Sequence, residues 1–187
     1  MGKARKTRKR KTDVRGLSYT GIFVAFMAIM AQISIPMPLG VPMTMQTFAV
    51  ALAGILLGAR RGFYAAAAYV LLGAVGVPVY SRFMGGLPAL LGPTGGFILS
   101  FPALAWLSGL GAEKKGWRLI CGIAAGVVVN YACGMLMFAL ITKSSLSAAF
   151  LACAAPFLPA EAIKMSLAGG VGVKVRERAR KALGRDR

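Results

Sequence analysis

The chain has 187 residues, 57% of them hydrophobic and only 15% charged, which is far more apolar than a soluble domain of this length requires. It contains no histidine, the commonest general base and transition-metal ligand, and no Gly-x-x-x-x-Gly-Lys-Ser/Thr phosphate loop, so histidine-dependent catalysis and P-loop ATP hydrolysis by this chain alone are excluded. Its formal charge of +18 is concentrated at the two ends and lacks interleaved aromatics, a pattern that predicts contact with a membrane surface and no nucleic acid.

Residues 1–16 form a basic tail with Lys3, Arg5, Lys6, Arg8, Lys9, Arg10, Lys11 and Arg15 against the single acid Asp13. With almost nothing apolar to bury, this tail is expected to be disordered or lipid-associated. Apolar stretches then recur near 17–35, 42–59, 62–79, 94–111, 117–141 and 157–174, each close to the roughly 20 residues that a helix needs to cross a bilayer. The last begins as early as 147 if Pro156 and Pro159 mark a break. The first is read as a transmembrane helix and not a cleaved leader, because no small-x-small site precedes the next loop and further spans follow. The predicted architecture is an all-α integral membrane protein with six transmembrane helices over 17–175 and a basic C-terminal tail over 176–187.

Lys and Arg in short loops favour the cytoplasmic side. Eight lie in the N-terminal tail, Arg60 and Arg61 follow the second stretch, Lys114, Lys115 and Arg118 follow the fourth, and seven lie from Lys174 onward. The alternate loops hold only Arg82 and Lys143. Both termini are therefore expected to be cytoplasmic. The opposite loops, Pro36–Pro42 and Pro78–Gly86, are rich in Pro and Gly, and suit either ordered lids over a cavity or plain tight connections.

Small residues let membrane helices approach closely. Gly21-x-x-x-Ala25, with Ala28 close by, lies on the first stretch, and Ala49-x-x-x-Ala53 and Gly54-x-x-x-Gly58 on the second. Each can serve internal packing or docking to a separate membrane subunit. Cys121, Cys133 and Cys153 lack any metal-ligand or Cys-x-x-Cys spacing and read as small apolar packing residues, and no metal site is predicted.

Ionisable groups in hydrocarbon are costly and mark substrate or ion sites when they face a bundle interior. Glu161 and Lys164 sit three residues apart within an apolar stretch, which places both on one helix face. They form either a ligand site or an ion pair that locks two helices together. Gln46, Asn130 and Tyr131 add uncharged polar groups, and Gly92-Pro-Thr94-Gly-Gly96 opens the fourth stretch with a hydroxyl and free helix-start N–H groups. This set suits a small amphipathic molecule with an acid or amide head. One carboxylate without a paired acid or an activated nucleophile is poor catalytic equipment, so binding without chemistry is expected.

Taken in order, Pro42-Met-Thr-Met-Gln-Thr-Phe48, Leu52–Gly62, Leu72-Gly-Ala-Val-Gly-Val-Pro-Val-Tyr80, Gly85-Gly-Leu87, Leu91-Gly-Pro-Thr-Gly-Gly-Phe97 and Phe157-Leu-Pro-Ala-Glu-Ala-Ile-Lys164 resemble the BioY family across nearly all of 17–175. These are the biotin-binding membrane subunits (S-components) of energy-coupling factor vitamin transporters. The resemblance implies a six-helix, multi-pass subunit of a bacterial or archaeal cytoplasmic membrane that captures biotin from outside. It then docks on a transmembrane coupling subunit driven by two cytosolic ATPases. It implies biotin as transported substrate, no cofactor and no enzymatic activity. It carries biotin contact over to Glu161 and Lys164, with Glu161 replacing the family's usual Asp. It makes Tyr80, Arg82, Gln46 and Thr94 further pocket candidates, and Gly21, Ala25 and Ala28 part of the docking face. The rival readings are an S-component for another small vitamin, a small intramembrane enzyme using Glu161, and a structural subunit without ligand.

Overall fold

In a computed structural model that describes residues 14–37, 41–114 and 116–182, the chain is all-α apart from one two-residue strand pair. Helices fall on all six predicted stretches. They are α1 (Val14–Gln32), α2 (Gln46–Leu57), α3 (Ala59–Ala74), α5 (Gly95–Leu99) continued by α6 (Phe101–Lys114), α7 (Trp117–Thr142), and α8 (Leu146–Cys153) continued by α9 (Leu158–Ala182). A short α4 (Leu87–Leu91) precedes α5. The basic segment 1–13 lies outside the described residues, and α9 runs unbroken past 176 to Ala182.

The bundle is built around α2. Ala49, Val50, Ala51, Ala53 and Ile55 are fully buried, as expected of a helix apolar on every face. A Cβ on Gly54 would run into the Ala105 backbone of α6, one on Gly62 into Gly54, and one on Gly109 into Ala59. The second stretch's small residues are therefore spent on contact between α2, α3 and α6. On α1 the outcome is different. Gly21 and Ala25 are exposed, and an added Cβ at Gly21 meets nothing within 4 Å, whereas Ala28 packs partly against the core.

Two predicted spans are broken, each where proline removes a helix donor. Pro102 cannot bond the turn before it, and the chain bends at Ser100, whose Oγ donates back to the carbonyls of Gly96 and Phe97. Between α8 and α9 the axis turns by 57° across the segment holding Pro156. Pro159 is accommodated at the second position of α9, where an N–H would have no partner in any case. The third stretch ends early, at Ala74, and its last residues form a turn with Gly76 at φ 102°.

At one end of the bundle, Glu113 Oε1 accepts from the N–H of Ala59 at 3.1 Å, and Arg176 donates to the carbonyl of Ala112 at 2.6 Å. These contacts gather the α2–α3 turn, the α6 terminus and the basic part of α9, so the loops grouped by charge do share one end. At the other end, β1 (Ser34–Ile35) pairs antiparallel with β2 (Met43–Thr44), which brings the two described ends of the Pro-rich connection side by side. Large apolar side chains such as Ile22, Ile29, Ile120, Val128, Leu140, Leu151 and Ile163 are exposed around the outside, a surface suited to hydrocarbon and not to water. Among the described residues only α7, with 26 residues, is by itself long and apolar enough to cross a bilayer, and α8 with α9 forms a second such segment that is bent.

Candidate functional site

On α9, Glu161, Lys164, Met165 and Ala168 face inward, while Ala162, Ile163, Ser166 and Leu167 face out. The inward face meets the start of α2 and the middle of α7. Lys164 is 8% and Glu161 3% exposed, and burial of two charges is tolerable only with full hydrogen bonding. Lys164 Nζ donates to Thr44 O at 3.0 Å and Thr47 Oγ1 at 2.9 Å, and pairs with Glu161 Oε2 at 2.5 Å. Those three contacts account for all three ammonium protons. Glu161 Oε2 also accepts from Thr47 Oγ1 at 3.2 Å and Tyr131 Oη at 3.4 Å.

The other carboxylate oxygen, Glu161 Oε1, is buried without a partner among the described residues. The pair therefore offers a ligand no free donor and one free acceptor. Its position on a cavity decides what that acceptor is for. The cavity, about 70 Å³, is walled by Phe97, Phe101, Tyr131 and Phe157, with Glu161, Lys164 and Asn130 on its lining. Both Pro- and Gly-rich loops contribute to its lining, through Val41 to Thr44 and through Tyr80, Ser81 and Met84.

The remaining sequence candidates divide. Gln46 lines the cavity, but its amide is tied down: Nε2 donates to Tyr69 Oη at 2.7 Å, and Oε1 accepts from Thr44 Oγ1 at 3.0 Å. Tyr69 Oη in turn donates to Val79 O at 2.8 Å, which latches the second loop to the bundle. Tyr80 presents its ring to the cavity and turns its hydroxyl away, donating to Val70 O at 2.6 Å. Burial pushes that phenol up to about 12, so it stays a neutral donor. Thr94 is on the lining, but α5 is too short to form a helix-start anion site. The glycines after Thr94 serve packing, since a Cβ on Gly95 would strike Leu90 O and one on Gly96 would strike Cys133 O.

Arg82 is exposed and lies outside the lining, next to Ser81 at the mouth. Arg82 and Phe83 both take left-handed φ, 59° and 56°. The side chain of Gln32 holds this turn, accepting from Phe83 N–H at 3.0 Å and donating to Tyr80 O at 3.1 Å. Of the cysteines, Cys153 is buried on the lining, but Cys121 and Cys133 are exposed, so the packing role read for all three holds only for Cys153. Thr44 and Thr47, which complete the charged pair, were not singled out by sequence reasoning. Thr44 contributes to the pair only its main-chain carbonyl, which no side-chain pattern announces, so the available signal was the Thr47 hydroxyl beside Gln46 at the head of an otherwise apolar helix.

A second cavity of about 230 Å³ lies at the basic end, lined by Ile55, Ala112, Leu119 and Arg176 among others. It is larger, but its Glu113 is engaged by Ala59 N–H and its Arg176 by Ala112 O, and no unpartnered buried polar side-chain atom lies on it among the described residues. The smaller cavity is the candidate site. Its aromatic walls and buried polar groups equip it to hold a small ligand.

A sequence model described as the BioY family matches residues 5–181. The biotin transporter BioY of Thermotoga maritima is 38% identical over 88% of this chain and 97% of its own length. The probable biotin transporter BioY of Pyrococcus horikoshii is 37% identical over 81% of this chain and 90% of its own. Among solved structures, the S-component for biotin from an ECF-type ABC transporter superposes with a TM-score of 0.80 at 26% identity, over 88% of this chain and 92% of that one.

Proposed function

This chain belongs to the BioY family, and we propose that it is the biotin-binding S-component of an ATP-driven vitamin uptake transporter, a membrane protein and not an enzyme. The observation that carries the reading is the buried Glu161–Lys164 pair on the cavity, in which Glu161 Oε1 is left without a partner among the described residues. Biotin's ureido ring carries N–H donors, and such a donor satisfies Oε1.

A carboxylate ligand group is disfavoured at the same place, because it would meet Oε1 with no spare Lys164 proton. The ureido end therefore enters toward Glu161, and the valerate carboxylate points to the mouth, where Arg82 is exposed. Lys164 acts by pairing with Glu161 Oε2 and fixing the orientation of its side chain. The Glu in place of the family's usual Asp reaches one methylene further from α9, to Thr47 of α2 and Tyr131 of α7.

The cavity volume of about 70 Å³ is below the roughly 300–1,000 Å³ of ligand pockets. Capture therefore involves outward movement of the lining segments around Val41 to Thr44 and Tyr80 to Met84. In this reading six helices cross the cytoplasmic membrane with both termini cytoplasmic. The exposed Gly21 and Ala25 edge of α1, continued by Ala28, docks on a transmembrane coupling subunit powered by two cytosolic ATPases. Those ATPases supply the phosphate loop missing here.

The test is calorimetric titration of the detergent-purified protein with biotin, riboflavin and thiamine, beside a Glu161→Ala, Lys164→Ala double variant. Tight binding of biotin alone, lost in the double variant, is the expected result. No binding of biotin by monodisperse, folded protein overturns the proposal.

A further inference from the structure

Asn130 carries the second unsatisfied acceptor on the cavity. It is fully buried in α7 and lies on the lining. Its Nδ2 donates to Phe97 O at 2.9 Å and to Ser100 Oγ at 2.8 Å. Those contacts fix which way the amide faces. A backbone carbonyl can only accept, and the Ser100 proton is directed to the Gly96 and Phe97 carbonyls, so the nitrogen must be the atom on that side. Asn130 Oδ1 is left buried with no partner among the described residues.

The α5–α6 bend supplies this arrangement. Because the chain breaks at Ser100, the carbonyl of Phe97 and the hydroxyl of Ser100 are both available to a side chain from α7. An uninterrupted helix would have kept the Phe97 carbonyl for its own fourth residue onward. The next residue on α7, Tyr131, donates to Glu161 Oε2 at 3.4 Å, and Asn130, Tyr131 and Glu161 all lie on the same lining.

We propose that Asn130 Oδ1 is a ligand-contacting and specificity-determining group that accepts the second ureido N–H of biotin, while Glu161 Oε1 accepts the first. This rests on the reading of the site as a biotin pocket and adds a contact on a different helix. Two buried acceptors without partners make the pocket selective for a head with two N–H groups. A ligand lacking one of them leaves a buried acceptor unpaired, which is how polar sites reject close analogues.

The test uses biotin and its two isomers singly N-methylated at either ureido nitrogen. In the native protein each methylation is expected to weaken binding by about tenfold or more. In Asn130→Ala the penalty for one isomer should shrink to about threefold or less, while the other, read by Glu161, persists. Unchanged penalties for both isomers in Asn130→Ala overturn the proposal.

Asn130→Ala also removes the tie to Phe97 and Ser100 and can fail to fold, so a measurement on native protein stands beside it. Asn130 is the sole asparagine in the chain, so protein labelled with 13C at asparagine Cγ gives one side-chain carbonyl signal. That signal should move on adding biotin and move less with one N-methyl isomer. Binding of biotin by calorimetry with no change in the Cγ signal overturns the contact while leaving biotin as substrate. Absence of biotin binding to the native protein overturns the underlying reading and this contact with it.

Discussion

Lys164 donates to the hydroxyl of Thr47 at 2.9 Å, and that same hydroxyl donates to Glu161 Oε2 at 3.2 Å. One threonine at the head of α2 thus joins both members of the charged pair and ties α9 to the centre of the bundle. The arrangement makes ligand affinity and stability separable by choice of substitution.

Removing the cation leaves a buried carboxylate uncompensated. Lys164→Ala is expected to destabilise the fold by about 3–5 kcal/mol, the usual result of breaking one side of a buried ion pair. Thermal unfolding in detergent, with and without biotin, measures this. A variant as stable as the native protein would show that Lys164 does not hold Glu161.

Glu161→Gln retains the shape of the side chain but presents an amide where the free acceptor lay. Biotin affinity should fall roughly 10- to 100-fold, the range for leaving a buried polar group mismatched. Titration calorimetry reads the change directly, and undiminished affinity would remove Glu161 from the ligand site.

Tyr80 and Tyr69 are expected to part company. The Tyr80 hydroxyl points to Val70 O, away from the cavity, so Tyr80→Phe should leave biotin affinity within about twofold and cost stability by about 1 kcal/mol. Tyr69→Phe strands Gln46 Nε2 and Val79 O together and should cost more, about 1–3 kcal/mol, and loosen the loop over the site. Paired melting and biotin dissociation rates distinguish the two.

Gly21 and Gly54 offer a second contrast. Gly21 has open space around it, so Gly21→Leu, alone or with Ala25→Leu, should leave purified binding intact and reduce biotin uptake by cells carrying the whole transporter. Gly54→Leu should fail to fold, because its side chain would occupy the Ala105 backbone. Lost binding by purified Gly21→Leu protein would place that residue in the fold and not at a docking edge.

An exposed arginine at the mouth acts on a carboxylate mainly through screened attraction. Arg82→Ala should therefore weaken biotin binding only a few-fold at low salt and have little effect near 1 M salt, measured by titration at both ionic strengths. A large, salt-independent loss would mean direct burial of the ligand carboxylate on Arg82.

Much of this was legible along the chain because it depends on local properties. Apolar length places helices on the six stretches, Pro156 and Pro159 mark where the last of them breaks, and a spacing of three puts Glu161 and Lys164 on one face, whereas the break at Ser100 in the fourth stretch was not expected. The charge pattern likewise grouped loops that the Glu113–Ala59 and Arg176–Ala112 contacts bring to one end. What the chain by itself could not determine were relations between residues far apart in it. Thr47 and Glu161 are 114 positions apart, and Thr47 and Lys164 are 117. Only packing of α2 against α9 decided that Lys164 would spend every proton internally and that one oxygen of Glu161 would stay free. The same holds for the small residues: Gly21 and Gly54 sit in similar patterns, yet one faces outward and the other is pressed against Ala105. Helix propensity and spacing set which residues share a face. Which neighbour that face meets is set by the simultaneous packing of all the helices, and that information is carried by no single segment.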